Sequence, residues 1–580
     1  MNVFGIHLVD LLVLAAYFAV ILYLGVYLGA KKTKTLGDFF VAGGRWGPLV
    51  SFVFVFASAI AGNEAVVVSG QSYSSGLSGV WYWWSFLFAT PVYFLFSTYY
   101  RRARVYNLAE FLEMRYSRAV AAMYAVIAGI VCVLFIGMFV LAIGKILAGF
   151  TDFPLPICVW TISVIVAAYV FSGGMMSALL TDLVQGVMCL VILGFVMLPF
   201  VGHAAGGMKT LRSLPAETWD FIGEGMTLTT VVALNVSALV GGIAAPWIYS
   251  WIAVSRDERA ATQCAWGHLW KRIVTLLFAV YGIFFATLAP EMSDPELAWG
   301  VVMKEVLPIG VGVVGLMIAS FFAAAMSSAD TYATTSSAMT VDFLYRKVIA
   351  PHKTTSHYLM SARCWAVVSI FIAAASTSWF DHIKDYVKLC MAILSFLGIP
   401  IYFGVIWRRA NTTGMWASIL LGITSHQVIT HLLTGDGRLF SDADAAFATS
   451  VFVPTLMSLT GMWIGSLLGP AQSSRQLDRF YAIMNTPIGS EQRLVDAGIK
   501  LPSLVDAGLV DATVEELNAE RLSAITQSDA EQKYFGPQSN IELRREQNAT
   551  WYVRGFVLVT LSCVGLVVGT WFVTRLLFVW

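Results

Sequence analysis

The stretch that decides the fold is residues 323–331, which read Ala-Ala-Ala-Met-Ser-Ser-Ala-Asp-Thr inside a long apolar segment. Helical spacings of three and four bring five of these residues to one side: Ala324, Ser327, Ser328, Asp330 and Thr331. Oxygen atoms gathered on one helix face inside a membrane suit a hard cation such as sodium. The structural alternative is a small-residue seam that packs helices together. The carboxylate of Asp330 favours the functional interpretation, because a charge at that depth is costly.

The composition of the 580 residues is that of a protein embedded in a lipid bilayer. Hydrophobic residues make up 58% of the chain and charged residues 12%, and the mean hydropathy is +0.74. The net charge is +1 and no basic stripe is visible, so we expect no nucleic-acid partner. No obligate protein partner is indicated either. The N-terminus lacks the basic region and cleavage site of a signal peptide, so we expect a retained first helix.

Catalytic chemistry is not indicated by the polar residues. The 7 cysteines and 8 histidines are dispersed, without metal-ligand spacing or a nucleophile–base arrangement. We therefore expect that the protein is not an enzyme.

The apolar segments predict an all-α, polytopic membrane protein. A spanning helix needs roughly 20 apolar residues, and about 14 segments meet this requirement. They are residues 8–29, 47–71, 80–100, 119–149, 154–172, 177–202, 229–254, 270–290, 307–334, 358–380, 386–407, 413–433, 448–468 and 552–576.

Basic residues in alternate loops predict the orientation of the chain. Lys and Arg follow the first, third, seventh, ninth and eleventh spans, and the other loops are acidic or nearly neutral. The basic loops should face the cytoplasm, with both termini outside a cell membrane. Lys271 and Arg272 are counted here with the basic loop after the seventh span. Lys145, near the end of the fourth span, is expected to extend to the membrane interface.

The pattern divides the chain into five regions. We expect a first helix and cytoplasmic loop at 1–46, a transport core at 47–410, peripheral helices at 411–470, a polar cytoplasmic insert at 471–550 and a last helix at 551–580. The insert is either a regulatory or docking segment or a tolerated surface insertion, and the second interpretation is favoured.

Two spans are interrupted by helix-weakening residues. Residues 57–64 read Ala-Ser-Ala-Ile-Ala-Gly-Asn-Glu, and residues 241–247 read Gly-Gly-Ile-Ala-Ala-Pro-Trp. The offset of five spans predicts a 5+5 inverted repeat, in which matched breaks mark a transport site near the middle of the membrane. Carbonyl groups freed at a break can coordinate a cation or bind solute.

Other polar side chains in apolar spans extend this site. Asp182 lies well inside the sixth span, where it could form a carboxylate pair with Asp330 that binds a cation or a proton. Glu64 follows the first break, and Trp83 and Trp247 could form a wall for a sugar ring or an organic cation. Interfacial aromatic belts are the alternative for each tryptophan.

An ordered set of motifs resembles the sodium/solute symporter family, whose members have a leucine-transporter-type fold. The resemblance is carried by residues 38–45, 57–64, 69–73, 172–174, 181–185, 326–330 and 407–411, with Gly414. Residues 326–330 and 64–66 are also similar to the choline-transporting branch. Two departures leave the solute open: Trp251-Ile252 stands where the family commonly has Gln-Arg, and Trp83 stands where sugar-transporting members carry an acidic residue.

The resemblance implies a sodium site formed by the carbonyl groups of Ala57, Ile60 and Ala324 and the hydroxyl groups of Ser327 and Ser328. It implies a solute site beside the breaks, near Asn63, Glu64, Trp83 and Trp247. In some members a second sodium site uses positions that correspond here to Asp182, Ser327, Asp330 and Thr331.

Three functions are weighed. The first is a sodium-coupled symporter that imports a small polar organic solute by alternating access, with a sugar or an organic cation favoured. Anions are disfavoured because of Glu64 and the tryptophans. The second is a proton-coupled transporter of the same fold that uses Asp182 and Asp330. The third is a transporter-like membrane sensor of solute.

Overall fold

The computed structural model describes residues 2–3, 6–151, 153–171, 174–223, 225–434, 443–512, 516–517 and 549–579. Residues 172–173 of the family resemblance and residues 518–548 of the insert lie outside this part of the chain.

The described chain is almost entirely helical. Helices up to the first long span are α1 (Leu8–Leu22), α2 (Ala30–Lys32), α3 (Leu36–Val41), α4 (Pro48–Ser58), α5 (Gly62–Ser75), α6 (Trp81–Trp84), α7 (Thr90–Arg102), α8 (Leu108–Arg115) and α9 (Arg118–Phe150). The next are α10 (Leu155–Val170), α11 (Gly174–Cys189), α12 (Leu198–Ala204), α13 (Gly207–Ser213), α14 (Leu228–Gly241), α15 (Pro246–Ala253), α16 (Glu258–Trp270), α17 (Arg272–Leu288) and α18 (Ala298–Val306). The last are α19 (Val313–Ser337), α20 (Thr355–Ser376), α21 (Ile383–Ile406), α22 (Thr412–Thr434), α23 (Ala443–Leu468), α24 (Ser474–Asn485), α25 (Glu491–Asp496), α26 (Pro502–Asp506) and α27 (Ala549–Phe578).

Shorter elements join these helices. Tight or widened helical turns cover Tyr23–Gly29, Ala42–Gly44, Gly76–Val80, Leu190–Met197, Ala216–Trp219, Gly242–Ala244, Pro295–Leu297, Ala338–Ile349 and Thr377–Trp379. At the N-terminus, β1 (Asn2–Val3) and β2 (Ile6–His7) form a small antiparallel pair, with Asn2 opposite His7.

The spans agree in large part with the expected ones. Among the described residues, 9 helical segments are long and apolar enough to cross a membrane, and 2 bent pairs bring the number to as many as 11. The other three expected spans correspond to α10 with 16 residues, α7 with 13 residues, and α22, which has 23 residues but carries polar side chains along its length. The total of about 14 spans, the inverted repeat and the sidedness of the termini stay predictions.

Both expected breaks are confirmed as bends. The pair α4 and α5 is bent by 52° after Ser58, and the pair α14 and α15 by 55° before Pro246. At the first break Ala61 is extended (φ −106°, ψ 142°), and at the second Ala245 is extended (φ −69°, ψ 114°). Small side chains allow the backbone to bend at the first break. Pro246 enforces the second bend because it has no N–H to continue the helix.

The core of the bundle surrounds α19, which packs against α1, α9, α11 and α20. Helix α4 packs between α16 and α11, and α5 packs against α17. A Cβ at Gly186 of α11 would lie 2.2 Å from Cβ of Ala57, so only glycine lets α11 approach the first break this closely. Helices α4, α11 and α19 therefore meet at the point where α4 ends.

The side chain of Lys145 reaches loop residues near the end of its span, but there it is buried and paired instead of meeting water. Its side chain is buried in α9, and its ammonium donates to Asp294 at 2.8 Å, to Glu296 at 2.6 Å and to the carbonyl of Asp381 at 2.8 Å. Two carboxylates supplied by a distant loop compensate the charge where it stands, so the side chain need not reach water.

The described part of the insert is docked on the loop between α7 and α8. Arg104 donates to the carbonyl groups of Thr486 and Pro487 at 3.1 and 2.7 Å and pairs with Glu491 at 3.1 Å. Arg102 donates to the carbonyl of Met484 at 3.2 Å. Further along, Tyr106 donates to Asp506 at 2.7 Å.

We expect Arg104→Met to release residues 484–491 from this loop, because several bonds from one buried guanidinium would be lost together. Burial alone would raise the pKa of Glu491, but the charge of Arg104 and hydrogen bonds to the carboxylate outweigh it, and the pKa lies below its usual 4.5. The ion pair therefore supports docking at pH values above about 4.5 and loses this contribution as pH falls through the lowered pKa.

Limited proteolysis across pH measures this release. Cleavage near residues 484–491 should be faster in Arg104→Met than in the native chain at neutral pH. Glu491→Gln should remove the part of the pH dependence that arises from the ion pair. Arg259→Met, at an exposed position on α16, is the matched control. Equal cleavage in all variants would contradict the docking role of Arg104.

Candidate ion and solute site

The first break faces α19 at Ala324. A Cβ at Gly62 would lie 3.6 Å from the carbonyl oxygen of Phe321 and 3.9 Å from Cβ of Ala324. On the other side of the break, the N–H of Ile60 donates to the carbonyl of Ala57 at 3.0 Å, which closes a tight turn at the end of α4. The unwound segment is thus held directly against the polar stretch of α19.

The serine hydroxyl groups of α19 reach across to this break. Ser328 donates to the carbonyl of Ser58 at 3.4 Å and to that of Ala324 at 3.1 Å. Ser327 donates to the carbonyl of Ala324 at 3.3 Å. All five residues of the expected sodium site are buried: Ala57, Ile60, Ala324, Ser327 and Ser328. Their oxygen atoms are neutral carbonyl and hydroxyl groups from two helices, a donor set that suits a hard monovalent cation.

Ser58 is a member of this cluster that the sequence interpretation missed. Its carbonyl accepts from Ser328, and its hydroxyl donates to the Asp182 carboxylate. One residue at the end of α4 therefore joins the two expected cation sites. Its place between Ala57 and Ile60, inside the break, was the signal that could have identified it.

Asp182, Asp330 and Thr331 come together as the sequence suggested. Asp182 lies on α11 and the other two on α19, and all three are buried. The two carboxylates are close enough to interact electrostatically. Tyr169 of α10 donates to Asp330 at 2.9 Å and shares a 2.5 Å hydrogen bond with Thr181.

Several acceptor atoms in this cluster have no hydrogen-bond partner among the described residues. They are Oδ1 of Asp182, Oδ1 of Asp330 and Oγ1 of Thr331. Two buried carboxylates with unpartnered oxygens require a cation or a proton, since an uncompensated buried charge is strongly unfavourable. The atoms present therefore fit a second cation or a proton.

A cavity of about 50 Å³ lies on the other side of the first break. Ser58 and Ser328 form part of its wall, so it borders the expected sodium site. Trp83 and Trp247 line it, as expected, together with Tyr332 of α19. An ion that ordered α4 against α19 would therefore order one wall of this cavity.

Asn63 and Glu64, which were expected at the solute site, are not among the residues that line this cavity. Asn63 points its amide group toward the sulfur of Met138 at 3.9 Å. Glu64 is fully buried, forms an ion pair with Lys271 and accepts a hydrogen bond from Thr275. The Glu64 carboxylate is therefore occupied by two side chains of its own chain.

The assignment of Lys271 and Arg272 to a basic loop is wrong. Residues 258–288 form one span, and both side chains lie near its middle, with exposed fractions of 0% and 2%. The ion pair with Glu64 compensates part of their charge and permits this depth. The signal was available, because a glutamate inside one apolar span calls for a basic partner inside another.

The chain is similar to known transport proteins. The profile of the Sodium:solute symporter family matches residues 39–422. The chain belongs to this family. The resemblance seen in the motifs is therefore confirmed.

Characterised relatives of this sodium:solute symporter are distant but extend over most of the chain. The sodium/glucose cotransporter of Vibrio parahaemolyticus is 24% identical, with 72% of this chain and 84% of that protein covered. The sodium/sialic acid symporter NanT of Aliivibrio fischeri is 24% identical, with 71% and 85% covered. The high-affinity proline transporter PutP of Bacillus subtilis is 23% identical, with 79% and 98% covered.

Two solved structures share the fold. A sodium-coupled sialic acid symporter in a substrate-bound, outward-open state superposes with a TM-score of 0.67 at 18% identity, covering 80% of this chain and 99% of that one. Mhp1, a nucleobase-cation-symport-1 transporter in a closed conformation, gives a TM-score of 0.52 at 16% identity, covering 77% and 98%.

Membership in the family establishes the general activity. The symporter is a multi-pass membrane protein that couples the import of a small-molecule solute to sodium, and it is not an enzyme. Its relatives act on glucose, sialic acid and proline, so the family alone does not name the solute.

Proposed function

We propose that the protein imports a small polar organic solute by alternating access, with sodium bound between the first break and α19. The ligands are the carbonyl groups of Ala57, Ile60 and Ala324 and the hydroxyl groups of Ser327 and Ser328. The observation that carries the proposal is the bond from Ser328 to the carbonyl of Ser58, which joins α19 to α4 beside the cavity.

Sodium binding would favour the docked arrangement of these two helices. The ligands come from both helices, so their full set exists only while the helices are docked, and the ion shifts the population toward that state. Rocking of the bundle around the bound solute would then open the cavity to the other side. The inward membrane potential assists entry of a cation by about 2.3 kcal/mol per charge per 100 mV.

The proposal also includes the division of the chain into regions, its orientation in the membrane and the place of the solute. We keep the five regions expected from the sequence, with the transport core at 47–410. We also keep a location in the cell membrane with both termini outside. Solute would bind near Asn63, Glu64, Trp83 and Trp247. The preference for a sugar or an organic cation was based on Glu64 and on the tryptophans, and the pairing of Glu64 with Lys271 removes the first of these two arguments.

Proton coupling is the second candidate. The unpartnered oxygens of Asp182 and Asp330 favour it, since a proton can satisfy such a pair as a second cation can. In this case a pH gradient would drive uptake without sodium, and Asp182→Asn or Asp330→Asn would abolish the coupling.

Uptake into proteoliposomes tests these alternatives. An inward sodium gradient should drive accumulation of at least one solute from a panel of sugars, quaternary amines, and amino or carboxylic acids. Uptake that ignores sodium and follows a pH gradient would replace sodium with a proton. Solute binding without any uptake would contradict transport and favour a membrane sensor.

A further inference from the structure

Two side chains in the wall of the cavity beside the first break carry hydrogen-bond donors that have no acceptor. Arg272 and Trp251 line it and have exposed fractions of 2% and 5%. Among the described residues, Nε of Arg272 and Nε1 of Trp251 have no hydrogen-bond partner. Both atoms can only donate, and leaving a buried donor unpaired is unfavourable. These two side chains call for an acceptor in the cavity.

The charges around the cavity are unequal. Glu64 is the acidic group in contact with Lys271, and Lys271 and Arg272 are both buried. His268 adds no charge, because Nε2 of its ring accepts from the guanidinium of Arg272 and Nδ1 can then donate to Thr90 at 2.9 Å. One carboxylate thus stands against two cations, and the excess charge lies on the side of Arg272.

The guanidinium of Arg272 is held in place by the protein. Its Nη1 donates to the carbonyl of Trp83 at 2.8 Å, and its Nη2 donates to Nε2 of His268. These bonds fix the side chain without neutralising it. A positioned, charged donor is the usual means of binding an anionic group.

Part of the cavity wall is aromatic. Ring centroids of Trp247 and Tyr332 are 4.5 Å apart, and those of Phe135 and Trp247 are 4.6 Å apart. Such a surface packs well against a carbon skeleton and poorly against a hydrated inorganic ion. The cavity volume of about 50 Å³ leaves room for a few water-sized groups.

We propose that the solute carries a carboxylate, which Arg272 and Trp251 bind while its carbon skeleton packs against Trp247 and Tyr332. This inference rests on the proposed function, because it names the solute class of the same site. The expected solute is then a small organic acid or an amino acid, in place of the sugar or organic cation expected from the sequence. Lys271 stays paired with Glu64 and completes the positive end of the cavity.

Thermal unfolding of the purified, full-length protein in detergent with saturating sodium tests binding directly. The probes are matched pairs that differ in the carboxylate: L-proline and L-prolinamide, L-lactate and L-lactamide, and propionate and propionamide. D-glucose, choline and chloride are added as separate probes in sulfate buffer. At least one acid should stabilise the protein at millimolar concentration, and its amide should bind about 30-fold or more weakly.

Variants assign the binding to this wall. Arg272→Gln should weaken binding of the acid by about 30-fold or more, since it removes one partner of a buried charge pair. Trp251→Phe keeps the ring and loses only the N–H, so the acid should bind about tenfold more weakly while the fold is retained. Arg259→Gln, on the exposed face of α16, should bind the acid as the native chain does.

Three outcomes overturn the proposal. Stabilisation by glucose or choline with no effect of the acids would show a neutral or cationic solute, as would equal binding of an acid and its amide. Stabilisation by chloride alone would show a halide at Arg272. Acid binding that depends on Arg272 without sodium-driven uptake would keep this inference and contradict the proposed symport, so the two failures are distinguishable.

Discussion

Ser328→Ala should weaken sodium activation of uptake by about 10- to 100-fold, the range typical for losing a group that supports a metal site. The hydroxyl of Ser328 donates from α19 to the carbonyl of Ser58, so its loss removes both a proposed sodium ligand and a link between the two helices. The expected result is a higher sodium concentration for half-maximal uptake, measured at saturating solute.

Ser320→Ala is the matched control for this experiment. Ser320 is buried on the same helix, and its hydroxyl donates to the carbonyl of Leu316 at 2.8 Å, within α19 itself. It should therefore leave the sodium dependence unchanged. An unchanged sodium dependence in Ser328→Ala would place the coupling ion elsewhere, with Asp182 and Asp330 as the next residues to substitute.

Glu64→Gln should destabilise the folded protein by about 3–5 kcal/mol, the cost of removing one partner from a buried ion pair. The substitution leaves Lys271 and Arg272 buried without a compensating carboxylate. Lys271→Met should cost less, because Arg272 also interacts electrostatically with Glu64 and can take over part of the pairing. The midpoint of unfolding in detergent measures both effects.

The double variant Glu64→Gln with Lys271→Met separates charge pairing from packing. It removes one positive and one negative charge together, so it should recover most of the stability lost in Glu64→Gln. Lys209→Met, at an exposed position on α13, is the control for loss of a lysine charge. A double variant as unstable as Glu64→Gln would show that the ion pair does not explain the burial.

The long apolar helices and the breaks could be predicted from the sequence, because both depend on local features. Runs of apolar residues identify spans whatever their neighbours are, and Pro246 prevents a continuous helix wherever the span lies. The polar side of α19 could be predicted equally well, since helical spacing alone places Ser327, Ser328 and Asp330 together. The family resemblance then supplied the partners of these residues at the first break.

The roles of Lys145, Lys271 and Arg272 could not be predicted in the same way. A basic residue near the end of an apolar run looks alike in sequence whether it reaches water or an acidic side chain. Asp294 and Glu296 lie about 150 positions from Lys145, and Glu64 lies about 200 positions from Lys271. A glutamate inside an apolar span indicates that a basic partner exists, but local pattern does not say which distant residue it is.

The sequence by itself determined that this chain crosses a membrane many times, that two spans break, and that hydroxyl and carboxylate groups collect on α19. These features follow from hydropathy, helical periodicity and the chemistry of single residues. Only the tertiary structure decided that Ser58 joins the two expected cation sites and that Lys271 forms an ion pair with Glu64. It also decided that the excess positive charge of the cavity lies at Arg272. The physical reason is that the cost of a buried charge depends on its partner, and folding alone brings the partners together.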